Sequence, residues 1–278
     1  MNLKGGNWVE NRFRENHQDF PLVSIVTVTY NAEKHLAQAI DSILNQTYKN
    51  IELIIIDGGS SDSTLQIIKQ REGQIDFWIS EADNGIYDAM NKGLTIARGE
   101  WICFKNADDW FLPSAIETLI DHTKKIDADI FYGNSLSVIN EKPLVVAPYF
   151  TDHKNLGQNP SIDHRSAFFR LKIHKKTPFN TRYKLAADFD VYWQFKNLGA
   201  KFYHLESFIS YKRFGGASDG TKVLEESFAI NKQYVGIFFA HYSKLKSVIQ
   251  FLMWKNGTII LKAILGDKKF QKFKQRKL

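Results

Sequence analysis

PLVSIVTVTYNAEKHLAQAIDSILNQTYKNIELIIIDGGSSD, residues 21–62, reads as strand, helix, strand. The runs 22–30 and 51–57 are short, β-branched and almost continuously apolar, as strands buried on both faces must be. Between them, HLAQAIDSILNQ places its apolar residues at helical spacing. Two strands joined through a helix run parallel. Outward from this unit the rhythm repeats. IDFWIS (75–80), WICFKN (101–106) and DIFYGN (129–134) read as strands, and SDSTLQIIKQ, IYDAMNKGLTIA and LPSAIETLIDHTKK as helices. Asn31, Ser60 to Asp62, Asn84 and Pro113 are capping or first-turn residue types that mark the helix starts. The series predicts an α/β fold, a mostly parallel sheet flanked by helices.

After about residue 140 the pattern changes. An irregular stretch, EKPLVVAPYFTDHKNLGQNP, leads to a strand, SAFFR, and then a helix, AADFDVYWQFKNLG. A further strand, KFYHLESFIS, and a glycine pair in RFGGASDG follow. The expected organisation is an N-terminal extension (1–20), a principal domain (21–220) and a helical, basic C-terminal region (221–278).

With 44% apolar residues in 278, the chain can bury a core large enough to need no disulfide, and its one cysteine, Cys103, could form none within the chain. Cys103 lies in the apolar run WICF and is expected to be a buried, inert thiol. The first twenty residues lack the apolar core of a signal peptide, and no run of about 18 uncharged apolar residues occurs, so a cytoplasmic protein is expected. The net charge of +7 is uneven: residues 241–278 alone carry +9, which leaves the rest at −2. Lys and Arg interleaved with Phe and Trp suit an interfacial helix on anionic lipid, on the inner face of a membrane. The body offers no basic face for nucleic acid.

In an open parallel sheet, ligands bind beyond the carboxyl ends of the strands. That rule selects Asp57, which closes 51–57, and Asn106, Asp108 and Asp109, which close 101–106. Adjacent carboxylates repel unless something compensates them, and a hard divalent cation would do so; the alternative is that Asp108 or Asp109 caps the next helix. Asp127 and Asp129 precede their strand and belong to the opposite rim, and Asp62 reads as a capping residue. Asp188 shares a helical stripe with Val191, Tyr192, Phe195 and Leu198, facing the packed side, whereas Asp190 groups with Gln194 and Asn197 on the polar side. A carboxylate on an apolar face is either satisfied locally or held near a reacting hydroxyl. His164 and Arg165, just before SAFFR, are loop residues or contacts to acceptor or phosphate. No G-x-G-x-x-G, P-loop, H-E-x-x-H or G-x-S-x-G pattern occurs, which disfavours dehydrogenase, kinase, zinc-protease and serine-hydrolase readings.

Taken in order, PLVSIVTVTYN, IELIIIDGGSSDST, SEADNGIYDAMNKGLTIARGEWICFKNADD, HRSAFFR, AADFDVYWQF and FGGAS resemble the family 2 glycosyltransferases of the GT-A fold, including bacterial enzymes that build surface polysaccharide. The resemblance covers about residues 21–220. It implies a Rossmann-like nucleotide-binding half plus an acceptor half, with Thr29, Tyr30, Asp57, Asn106 and Asp108 around the nucleotide sugar. It further implies Mn2+ or Mg2+ on Asp108 and Asp109, and Asp188 as the catalytic base. Asn106 replaces the family's first Asp, and Ala187 stands where an acid commonly precedes the base. The processive-synthase signature Q-x-x-R-W is absent, which favours addition of a single sugar. The implied partners are a nucleotide-diphosphate sugar, a UDP-sugar foremost, and a glycan or lipid-linked acceptor. Two rival readings remain: a catalytically inactive nucleotide-sugar-binding protein at a membrane, and a sugar-nucleotide pyrophosphorylase. The second would need a basic glycine-rich loop that TVTYNAEKHL does not supply.

Overall fold

The computed structural model describes residues 3–139, 142–144, 162–213 and 222–248. The FGGAS motif, most of the irregular 140–161 stretch and the basic tail from 249 onward lie outside the described residues.

A single mixed sheet runs through the molecule. Its centre is β2 (Val23–Thr29), paired in parallel with β3 (Ile51–Asp57) on one side and β5 (Trp101–Asn106) on the other. Beyond β3 lies β4 (Phe77–Ser80), also parallel. All seven residues of β2 and all seven of β3 are buried, so the continuous apolar runs reflect helices on both faces. One face carries α1 (Leu36–Leu44), α2 (Thr64–Gln70) and α4 (Ala115–Thr123), whose Leu36, Ile40, Ile68 and Leu119 pack with Val23 and Ile25. The other carries α3 (Ile86–Ile96) and α6 (Ala187–Asn197), whose Met90, Leu94 and Phe189 pack with Val26 and Val28. Gly93 lets α3 approach β2, since a Cβ there would meet Val26 Cγ1 at 2.3 Å.

The parallel run ends at β5. β9 (Ala167–Arg170) pairs antiparallel with both β5 and β7 (Ile130–Ile139), and β7 pairs in parallel with β10 (Phe202–Arg213). Three small strands escape the apolar periodicity. β1 (Leu3–Gly5) lies on the β4 edge, β6 (Trp110–Phe111) on β10, and β8 (Lys142–Leu144) on β7. The N-terminal extension is therefore partly built into the sheet, held by the Trp8–Phe77 stack and by Arg14 bonded to the buried Asp76.

Local expectations shift at several positions; Leu198, expected on the packed side of α6, is 61% exposed. Asn31 does not start α1; it sits at φ 47°, its N–H donating to Ser60 Oγ and its Oδ1 accepting from Ser61 N, so it ties two rim loops together. Asp190, expected on the polar side of α6, is buried. It accepts from Gln194 Nε2 (2.7 Å) and from Tyr234 of α7 (Lys222–Val235; 3.0 Å), which covers that side. After the short α5 (Leu171–His174) and α7, a last described helix, α8 (237–248), turns Ala240 and Ser243 inward. Its other side exposes Phe238, Tyr242 and Leu245. Cys103 is buried, and burial pushes its thiol up to about 12, so the inert-thiol expectation fits.

Candidate active site

The carboxyl ends of β4, β3, β2 and β5 make one rim: Ser80 pairs with Asp57, Asp57 with Thr29, and Val28 with Asn106. Asp57 and Asn106 are thus two strands apart, on the order of 10 Å. Asp57, expected to face a ligand, is instead wholly buried and turned into its own loop. Its carboxylate accepts from Ser60 N (3.0 Å), Ser60 Oγ (2.5 Å) and Ser80 Oγ (2.6 Å), because a carboxylate withdrawn from water takes every donor within reach. Asp62 behaves as a capping residue: it accepts from Glu33 N and Thr64 N at the start of α2. Tyr30 stands exposed at the rim, whereas the Thr29 Oγ1 and Asn106 Oδ1 atoms are buried and meet no partner among the described residues.

Past Asn106 the chain turns tightly, Asp109 N donating to Asn106 O, and enters β6. That turn buries Asp109 to 1% exposure, and neither of its carboxylate oxygens finds a hydrogen bond among the described residues. Burial pushes its protonation up to about 6, with Asp108 adding repulsion and Arg165 and Lys105 opposing it. The Arg165 guanidinium lies 3.8 Å from Asp109 Oδ2 and 2.6 Å from Asp163 Oδ1. Asp163 overcomes its own burial through Arg165 and Lys212 and stays far below the usual carboxylate range. Lys105 is a fully buried cation. Its Nζ donates to the Arg165 carbonyl (2.8 Å) and lies over the Phe111 ring, and burial lowers it to about 8.

His164, Arg165 and Ser166 form one 3-10 turn, capped by Asp163. From its first residue, His164 Nδ1 reaches Asp188 Oδ2 at 2.9 Å. Asp188 stands in the first turn of α6; its Oδ1 also accepts from Tyr87 OH (3.1 Å) and Phe189 N (2.9 Å). Consecutive residues of this turn therefore touch Asp188 and Asp109. Asp108 is adjacent to Asp109 in sequence, and Asp57 lies on the same rim but is committed to its loop. Asp127 and Asp129 sit at the opposite rim, paired with Lys201 and Arg170.

The chemistry of this donor set fits a divalent cation carried by substrate. Among the described residues no group of three or more His, Cys, Asp or Glu forms a ready-made metal cage. Two adjacent carboxylates, one buried with neither oxygen hydrogen-bonded among the described residues, match a hard ion that fills its other positions with phosphate oxygens.

The family model "Glycosyl transferase family 2" matches residues 24–193, more than half of the chain, and spans Asp57, Asp108, Asp109, His164, Arg165 and Asp188. The chain belongs to glycosyl transferase family 2. This family 2 enzyme is similar to a "PGL/p-HBAD biosynthesis glycosyltransferase" of Mycobacterium bovis, 32% identical over 210 residues, which is 72% of this chain and 80% of that protein. Its GT-A fold is that of S. aureus TarS 1–349 in complex with UDP-GlcNAc, with TM-score 0.62, 17% identity, and coverage of 77% of this chain and 67% of that one. The chain covers 39% of a longer TarS chain. A mannosyltransferase from Pyrobaculum calidifontis, solved with GDP-Man and Mn2+, aligns over 97% of this chain and 88% of its own at TM-score 0.59 and 14% identity.

Several groups around the candidate site escaped the sequence reading. Glu226 of α7 accepts from Lys184 N and Leu185 N (both 2.8 Å) and Ala186 N (2.9 Å), serving the start of α6 from forty residues away. Ala186 itself cannot cap the helix. Tyr87 was legible only as part of the apolar stripe of α3. Lys105 did carry a signal, a lone cation within an apolar strand, where a buried charge needs a partner.

Proposed function

We propose that the protein transfers a single sugar from a nucleotide-diphosphate sugar, a UDP-sugar foremost, to a hydroxyl of a glycan or lipid-linked acceptor, with inversion and with Mn2+ or Mg2+. One observation carries the reading: consecutive residues of one turn reach both acids, His164 bonding to Asp188 and Arg165 lying 3.8 Å from the buried Asp109, whose oxygens meet no hydrogen-bond donor among the described residues. The complexes of TarS with UDP-GlcNAc and of the mannosyltransferase with GDP-Man and Mn2+ support a nucleotide sugar as donor and a divalent ion beside it.

Asp188 takes the acceptor's hydroxyl proton as that oxygen attacks the anomeric carbon from the face opposite the diphosphate; a positioned base contributes about 10²–10⁴-fold. Asp108 and Asp109 would hold the metal, which supplies Lewis-acid stabilisation of the departing diphosphate, on the order of several kcal/mol. Arg165 adds fixed positive charge beside Asp109. Thr29 Oγ1, Asn106 Oδ1 and the exposed Tyr30 ring present contacts for base, ribose or phosphate, while Asp57 acts through the loop it holds.

The acceptor reaches the enzyme at a membrane in this reading. Among the described residues no helix is long and apolar enough to cross one. The exposed Phe238 (90%) and Leu245 (61%) of α8 adjoin Lys244 and Lys246, and the +9 charge of residues 241–278 suits the anionic inner face of the cell membrane.

The test is to incubate the protein with a panel of nucleotide sugars, with Mn2+, Mg2+ or a chelator, and to measure nucleoside diphosphate release. Metal-dependent release that Asp188→Asn abolishes, with UDP binding retained, is the expected result. Full turnover by Asp188→Asn would remove the base assignment.

A further inference from the structure

We infer that His164 is a positioning residue, whose Nδ1–H fixes Asp188 so that Oδ2 is the oxygen that receives the acceptor's proton. This rests on the base role proposed for Asp188 and asks which atom performs it. An ionised carboxylate offers about four lone-pair sites. Two on Oδ1 are taken, by Tyr87 OH at 3.1 Å and Phe189 N at 2.9 Å. One on Oδ2 is taken, by His164 Nδ1 at 2.9 Å. Among the described residues the remaining site lies on Oδ2.

The tautomer follows from the same contact. A carboxylate only accepts, so Nδ1 is the nitrogen that carries hydrogen. Three donors hold the Asp188 carboxylate in place. Two of the three belong to α6 itself and to its neighbour α3. His164 alone reaches Asp188 from the turn whose next residue, Arg165, lies 3.8 Å from Asp109. That turn is anchored in the sheet: the Arg165 carbonyl accepts from Lys105 Nζ (2.8 Å) and Ser210 Oγ (3.1 Å). The bond from His164 thus sets the base in register with the carboxylates at the leaving-group end. The side chains of His164 and Asp188 are 12% and 18% exposed, so water competes little for this contact.

In the transfer step the acceptor O–H bond breaks and its proton passes to Asp188 Oδ2. The acceptor oxygen bonds to the anomeric carbon, and the bond from that carbon to the diphosphate oxygen breaks, its electron pair leaving with the diphosphate. His164 keeps its own proton throughout.

His164→Ala, His164→Asn and His164→Gln in the full chain test this. The Asn amide nitrogen comes near the Nδ1 position, and that of Gln near Nε2. The readouts are kcat and KM for nucleoside diphosphate release from the panel sugar nucleotide that the parent protein turns over, with UDP binding by calorimetry as the check that each variant is folded. His164→Ala should lose about 100-fold in kcat, the scale of a misplaced catalytic group, with UDP affinity and donor KM changed by less than about threefold. His164→Asn should recover most of that loss, and His164→Gln should not. Full kcat in His164→Ala, recovery by Gln in place of Asn, or a loss of UDP binding parallel to kcat would each overturn the inference. An inactive Asp188→Asn beside a fully active His164→Ala sinks this inference alone, whereas an active Asp188→Asn sinks the base reading beneath it.

Discussion

Glu226 Oε2 lies 2.9 Å from Ala186 N, so a carboxylate on α7 serves the amide at the N-cap of the helix that carries Asp188. The same side chain takes the N–H groups of Lys184 and Leu185. Removing it in Glu226→Ala leaves three amides short of an acceptor. A loss of about 1–2 kcal/mol in stability is expected, the usual cost of a lost cap. Denaturant unfolding measures it, and kcat should fall further than UDP affinity because the displaced element carries Asp188, the proposed base, and not Thr29 or Asn106 at the strand rim.

Asp109 and His174 make stability depend on pH in opposite directions. Asp109 has its folded protonation raised from 3.8 to about 6, so its favourable contribution is present below about pH 4 and lost as pH rises through 6. His174 is lowered by burial from 6.5 to about 4, so its contribution is present above about 6.5 and lost as pH falls through 4. Each shift of about two units corresponds to up to about 3 kcal/mol. Metal-free Asp109→Asn should therefore melt higher than the parent at pH 7 but not at pH 4, while His174→Asn should flatten the fall on acidification. Melting temperatures between pH 4 and 7 check both signs.

Gly93 lies in a helix, where replacement by Ala ordinarily gains about 1 kcal/mol. Here the added Cβ would meet Val26 Cγ1 at 2.3 Å, between α3 and the central strand. Overpacking typically costs about 1–3 kcal/mol, so Gly93→Ala should be destabilising. Urea unfolding at constant m-value tests this, and a stabilised variant would show that α3 can retreat from β2.

The outer side of α8 should bind anionic vesicles. In flotation assays the full chain is expected to rise with phosphatidylglycerol-containing vesicles and not with neutral ones. Raising salt should weaken the association as the basic charges are screened. Replacing Phe238 and Leu245 by Ser should reduce flotation without changing UDP binding, since both are exposed on a helix far along the chain from the rim. Equal flotation by the double variant would exclude α8 as the contacting element.

Sequence by itself determined the layered framework, because a strand buried on both faces must be almost continuously apolar and an amphipathic helix must repeat its apolar residues. Residues 22–30 and 51–57 left little choice, and β2 and β3 lie within those limits. The rim rule likewise brought Asp57, Asn106, Asp108 and Asp109 to one edge, and six ordered motifs brought the family. Periodicity is silent, however, about what lies across space. It placed Asp190 in water because α7, which covers it, starts more than thirty residues later. The rim rule turned Asp57 toward a ligand because it could not show Ser80 arriving from the next strand to bond it. Only the tertiary structure joined His164 to Asp188 and Arg165 to Asp109. A hydrogen bond depends on distances of about 3 Å between atoms, and those distances are fixed by how β9, α3, α6 and α7 pack together.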